Sequence, residues 1–272
     1  MEAVLNAISE SVPKSDSEYI GEDGLLHCSI CHKRTERFAS VPSLGINRKV
    51  RCICDCKRKE LDAYENQRRQ EELDRQRRIC FTETNMASWN FQNDDRRNEK
   101  LSDAMQNYAK NFTEFRREGK GLLLYGPVGT GKTYYAACIA NALIDDGFTV
   151  VLTNFTKILN QLQDLKTEKQ KYIEGFNRYS LMIIDDLGVE RSTEFAQEQV
   201  FNIIDSRYRA GLPFIITTNL TADELKKPQD VCYSRIYDRI LERCHPVGVS
   251  GGSRRRQSVK DGFADMQAKL GL

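Results

Sequence analysis

Residues 121–133 read GLLLYGPVGTGKT, an apolar run followed by a loop in which Gly126 and Gly131 bracket a tight turn before Lys132 and Thr133. Glycines there let backbone N–H groups face a phosphate, Lys132 supplies a point charge, and the Thr133 hydroxyl suits a magnesium ion. The loop joins a strand to a helix N-terminus, where the helix dipole also favours an anion. Pro127, Gly129, Thr130 and Tyr134 complete the stretch expected to line a nucleotide. The full spacing in the right context predicts nucleotide binding.

Downstream, the apolar run LMIIDD ends in Asp185 and Asp186. An acid at the tip of a neighbouring strand is expected to hold magnesium through water, the role assigned to Asp185. Asp186 is then placed to polarise an attacking water, or else to cap the next helix. In FIITTN, Asn219 either reaches the same water and the γ-phosphate or simply begins a turn.

Strand-like runs GLLLYG, FTVVLTN, LMIIDD and PFIITTN alternate with helical stretches: Thr133 to about Asp146, a region carrying Ile158, Leu159, Leu162 and Leu165, and EFAQEQVFNIIDSRYRAG. Unbroken apolar strands separated by amphipathic helices predict an α/β fold, a parallel sheet covered on both faces. Upstream, KLSDAMQNYAKNF puts Leu101, Ala104, Met105, Tyr108 and Phe112 on one helical face.

With 272 residues, 40% of them apolar, the chain has room for one substantial core and a smaller appendage. The net charge of +2 is too small for nonspecific polyanion binding. No run approaches a membrane span, and MEAVLNAISESVPKSD lacks a signal-peptide pattern, so a cytoplasmic protein is expected. Thiols stay reduced there, and clustered cysteines read as metal ligands before disulfides. Cys28 and Cys31 form a Cys-x-x-Cys knuckle, followed after a spacer by Cys52, Cys54 and Cys56. Zinc takes four soft ligands in a tetrahedron. Cys28, Cys31 and Cys52, with Cys54 or Cys56 as the fourth, are the expected set; His27 and His32 are further candidates, and a redox pair is the alternative for the knuckle. Cys80, Cys138, Cys232 and Cys244 read as small apolar residues.

Four parts are expected: a leader over 1–26, a zinc-binding module over 27–56, a charged helical linker over 57–79, and an ATPase domain over 80–272. The linker's mixed charges suit either a solvated bridge or a docking helix.

The ordered set GPVGTGKT, MIIDDLG, ITTN and YSRIYDRILERC resembles AAA+ P-loop ATPases of the DnaC/DnaI helicase-loader branch, which includes IstB-like transposition helpers. The resemblance covers about residues 80–260, with DDLG and SRIYDRI its most specific parts. It implies ATP as substrate, subunits that associate when ATP is bound, and a finger arginine entering a neighbour's site, here Arg235, with Arg239 one turn later. Surface pairs Arg235–Asp238 and Arg239–Glu242 are the structural alternative. It also implies a further arginine on the subunit's own nucleotide; Arg254, Arg255 and Arg256 lie in that region, Arg255 standing for the run, unless the run is a solvated tail. The short stretch after Asn219 leaves no room for a full helical lid.

Family members contact single-stranded DNA at positions matching Thr193 and Phe195, and near Lys166, where this sequence lacks the aromatic of the family pattern. Phe195 reads equally as a core residue. Most AAA+ enzymes carry Glu where this chain has Asp186, which implies slow turnover without a partner. Loaders with an N-terminal zinc module use it to grip a hexameric replicative helicase. The reading that results is a helicase loader in DNA replication; the alternatives are a transposase helper and a nucleotide-controlled adaptor that hydrolyses almost nothing.

Overall fold

A computed structural model describes residues 17–41, 46–81, 83–165, 167–188, 193–228 and 231–253, with scattered positions between 263 and 270. It divides into two compact units, residues 1–72 and 73–272. Lys166 and the 254–256 arginine run lie outside the described residues, as do residues 1–16 and most of 254–272.

In the first unit, β1 (Glu18–Ile20) pairs antiparallel with β2 (Leu26–Cys28), and β3 (Glu36–Val41) with β4 (Ile46–Arg51). The expected leader over 1–26 is thereby shortened, because Glu18–Ile20 is held in register against Leu26–Cys28. Helix α1 (Asp55–Cys80) follows at once, so the helix starts inside the expected zinc module rather than beyond it. It is polar all round, with only Leu73 and Cys80 buried, as suits a bridging helix.

The second unit contains α2 (Glu99–Lys110), α3 (Phe112–Glu118), β5 (Gly121–Tyr125), α4 (Lys132–Asp145), β6 (Val150–Asn154), α5 (Phe155–Asp164) and α6 (Lys169–Gly175). β7 (Leu181–Leu187), α7 (Glu194–Arg209), β8 (Phe214–Thr218), α8 (Ala222–Lys226), α9 (Val231–Arg243) and β9 (Cys244–Gly248) complete it. Among the described residues the strands form one parallel sheet in the order β6-β7-β8-β5-β9.

Strand side chains alternate between two cores. Leu122, Leu124, Ile183 and Ile215 join α2 and α4 on one face, whereas Leu123, Met182, Ile184 and Ile216 join α5, α7 and α9 on the other. This is the doubly covered sheet that continuous apolar strands require. The chain leaves β5 towards β6 at one edge and later places β8 and β9 on either side of β5. Such a switch point leaves a crevice beyond the strand's carboxyl end, where the phosphate loop begins. On α2, Leu101, Met105 and Tyr108 are buried as expected, but Ala104 is exposed and Phe112 opens the next helix.

Two polar clamps fix this frame. Asn141, buried in α4, donates to the carbonyls of Met86 and Trp89, at 2.9 and 2.8 Å, tying the segment before α2 to the helix that follows the loop. Arg207 is 1% exposed and donates to the carbonyls of Phe176, Ser180 and Pro213, which precede β7 and β8. Burial pulls its guanidinium down to about 10, so it stays charged at neutral pH with carbonyls as its partners. Replacing Arg207 by Met leaves those buried oxygens unpaired and is expected to lower stability by about 3 kcal/mol in urea denaturation. A midpoint equal to the parent's would contradict the clamp.

Candidate active site and thiol cluster

The loop after β5 needs glycine for space as well as for conformation. Gly126 has φ +139° and Gly129 φ +83°, and a Cβ on either would collide, with the Val249 carbonyl and with Ser253 respectively. Gly131, at φ 102°, is the N-cap of α4. Pro127 and Thr130 shape the turn, the Thr130 hydroxyl donating to the Pro127 carbonyl at 3.0 Å. Lys132 is 5% exposed, and its ammonium donates to the carbonyls of Gly126 and Pro127 at 2.9 and 2.8 Å. A buried cation held by the loop's own carbonyls fits a site built for an anion. Tyr134 donates to the Asn90 carbonyl at 3.0 Å and packs on Trp89.

The Thr133 hydroxyl donates to the Asp185 carboxylate, 3.0 and 3.1 Å from its two oxygens, so the first turn of α4 and the end of β7 meet. Burial pushes the Asp185 carboxyl above the usual carboxylate range, and the neighbouring Asp186 charge adds to this. Hydroxyls of Thr217 and Thr133 and the Lys132 ammonium act the other way. A partly buried carboxylate beside a hydroxyl and oxygen-rich surroundings is a donor set that suits magnesium.

β7 is irregular at this point. Ile184 pairs with Ile216 and Leu187 with Thr218, so Asp185 and Asp186 together oppose the single residue Thr217. That two-against-one count is a bulge, a device that re-aims a side chain. Asp186 adopts φ 57° and is exposed, which turns it out beyond the strand. Asn219 follows β8 directly, is exposed, and lies between the loop and the bulge because β8 sits between β5 and β7. Thr217 was not singled out in the sequence; only the TT before Asn219 in FIITTN could have signalled it.

The arginines separate cleanly. Arg239 pairs with Asp205 at 2.8 Å and lies over the Phe201 ring at 4.4 Å, so it is committed within its own subunit, to α7 rather than to Glu242. Glu242 instead accepts from the Tyr208 hydroxyl at 2.8 Å. Arg235 is exposed on α9 and makes no ion pair among the described residues, Asp238 included. Of the expected DNA contacts, Thr193 accepts from Ala196 N–H at 3.2 Å as the N-cap of α7. Phe195 is half-buried against the second core, with the Lys169 ammonium 4.9 Å from its ring centroid.

In the first unit, the Sγ atoms of Cys28, Cys31, Cys54 and Cys56 lie within 4.8 Å of one another. Zinc–sulfur bonds of about 2.3 Å place tetrahedral sulfurs about 3.8 Å apart, so the four thiols fit a zinc site. Cys28 ends β2 and Cys31 lies on the turn after it, and Cys54 and Cys56 flank the first residue of α1. Neighbouring Cys54 and Cys28 sulfurs push the Cys56 thiol up to about 12, and backbone N–H groups of Cys56 and Lys33 pull the Cys31 thiol down.

The structure departs here from the expected set, because Cys52 is not in the cluster. Its thiol donates to the Arg34 carbonyl at 3.4 Å, held where the backbone of β4 continues its pairing with Thr35. His27 and His32 are engaged elsewhere, His27 with Asp23 at 3.0 Å and His32 with the Tyr19 hydroxyl at 3.2 Å. Cys54→Ser should therefore abolish stoichiometric zinc by metal analysis, whereas Cys52→Ser should retain it. Equal retention by both would contradict the cluster.

Comparison with known proteins adds a family to this geometry. The chain is 30% identical to the replicative helicase loader DnaI of Bacillus subtilis (strain 168) over 162 residues, 54% of this chain and 51% of that protein. It is 25% identical to the replicative helicase loader DnaC of Escherichia coli (strain K12) over 131 residues, 47% of this chain and 52% of that one. The chain thus spans about half the length of the curated relatives it matches. A crystal structure of DnaI superposes with a TM-score of 0.55 at 25% identity, covering 66% of this chain and 99% of that one, in keeping with the AAA+ P-loop arrangement. A family model described as IstB-like ATP binding protein matches residues 55–261. With a match over most of its length, this chain belongs to the IstB-like ATP-binding protein family.

Proposed function

We propose that this chain is a helicase loader in DNA replication, an ATPase that grips a hexameric replicative helicase and, as an ATP-dependent homo-oligomer, helps place it on single-stranded DNA. The observation that carries this reading is the pairing of a complete phosphate-loop site with a four-thiol module ahead of it on one chain. The module would take zinc through Cys28, Cys31, Cys54 and Cys56 and serve as the helicase grip. Exposed Ile30 on the Cys28–Cys31 turn and exposed Phe38 on β3 supply apolar surface for such a contact.

In the ATP site, loop amides and Lys132 bind the phosphates, and Thr133 and Asp185 hold magnesium, which when bound neutralises charge on the phosphates. Asp186 accepts a proton from water as the base, and Asn219 orients that water or the γ-phosphate. Arg235 serves as the finger in a neighbour's site. Its support is exposure without an ion pair, in contrast to Arg239. Arg255 or its neighbours would meet the subunit's own nucleotide. Ser253, immediately before the run, lies close to Gly129 of the loop, as that role needs. For DNA we retain the region of Thr193, Phe195 and Lys166, with Lys169 an added cation there.

A transposase helper is the second reading. It is favoured by the family match, which is IstB-like and begins at Asp55, so it covers α1 and the ATPase domain and omits most of the thiol module.

Asp186→Asn is expected to bind ATP normally while turnover in the presence of helicase falls by about 100-fold. Arg235→Ala should fall similarly, and mixing the two variants should restore activity, since each supplies what the other's interface lacks. Unchanged hydrolysis in Arg235→Ala, or no recovery on mixing, would remove the finger. Full loading by Asp186→Asn would favour the adaptor, and capture of a transposase in place of a helicase would favour the second reading.

A further inference from the structure

We propose that Thr217 is a positioning residue of the ATP site, a single buried hydroxyl that sets both acids of β7. The inference rests on the roles given above to Asp185 and Asp186.

Thr217 is 0% exposed, near the end of a fully buried strand where valine would fill the same space. A buried hydroxyl costs free energy unless its hydrogen bonds are made. Here both are. The hydroxyl donates to Asp185 Oδ1 at 2.5 Å and accepts the Asp186 N–H at 2.9 Å. One proton and a lone pair are thereby used on two successive residues of the neighbouring strand.

The position explains the need. Thr217 is the one residue facing the two-residue bulge, where Asp186 lies out of regular register. The hydroxyl takes up the Asp186 N–H and so holds the left-handed turn, φ 57°, that directs this side chain outward. The same oxygen fixes one carboxylate oxygen of Asp185. Thr133, the other hydroxyl on Asp185, belongs to the first turn of α4 and is itself assigned to the ion; Thr217 has no such second task. It therefore fixes the angle between the two acids.

Three variants test this in the full chain: Thr217→Val, Thr217→Ser and Thr217→Ala. Hydrogen exchange at the Asp186 amide, followed without nucleotide or metal, should accelerate at least about tenfold in the valine variant and stay at the parent rate in the serine variant. With helicase present, kcat should fall roughly 10–100-fold in Thr217→Val, with KM for ATP within about twofold of the parent, and Thr217→Ser should recover it.

Parental kcat, or a parental Asp186 exchange rate, in Thr217→Val would overturn the proposal. If the valine variant does not fold, the comparison is read from alanine against serine; loss of fold in both valine and alanine variants assigns Thr217 a structural role only and also overturns it. Asp185→Ala separates the two layers of inference. If it leaves magnesium-dependent ATP binding intact, the site reading itself fails; if it impairs that binding while Thr217→Val behaves as the parent, only the role of Thr217 fails.

Discussion

A partly buried carboxylate, Asp185, is the constraint around which the ATP site is arranged. Burial pushes its carboxyl upward, and two hydroxyls, Thr133 from α4 and Thr217 from β8, act the other way together with the Lys132 ammonium. A second acid follows at once, and two adjacent carboxylates repel. The bulge moves them apart: Asp185 stays in the sheet, opposite Asn154 of β6, and Asp186 turns out to solvent. Two acids consecutive in sequence thus acquire different surroundings, as the separate roles proposed for them require.

The sheet supplies the rigidity this arrangement needs. β5, β7 and β8 are adjacent and buried on both faces, so the loop, the bulge and Asn219 end side by side. On the second face, α9 is locked to α7 by Arg239, which pairs with Asp205 and stacks on Phe201, and by Arg243 over Tyr208 at 4.8 Å. An arginine so engaged is costly to redeploy. Arg235, one turn earlier on the same helix, carries no such cost, and this asymmetry is what supports the intersubunit role proposed for it.

Much of this was legible in the chain because the signals are local. GPVGTGKT declares its turn through glycine spacing, and apolar runs ending in DD or TTN mark strand tips. What was not legible depended on partners distant in sequence. Asp205 lies 34 residues from Arg239, so spacing on one helix could not reveal that pair. Five nearby cysteines satisfy the same spacing rule, and only the end of β4 pairing and the start of α1 decide that Cys52 turns to Arg34 while Cys54 and Cys56 join the knuckle. Glu18–Ile20 is too short to show a period and becomes a strand only through its register with Leu26–Cys28. Thr217 looks like any strand-end threonine until the bulge opposite is seen.

The decisive measurement is a crystal structure of the full chain grown with a nonhydrolysable ATP analogue and magnesium. The Lys132 ammonium is expected to leave the Gly126 and Pro127 carbonyls for the phosphates, and Thr133 and Asp185, now joined by a hydrogen bond, to share the ion. A nucleotide bound elsewhere, or Lys132 still on those carbonyls with the analogue in place, would contradict this reading.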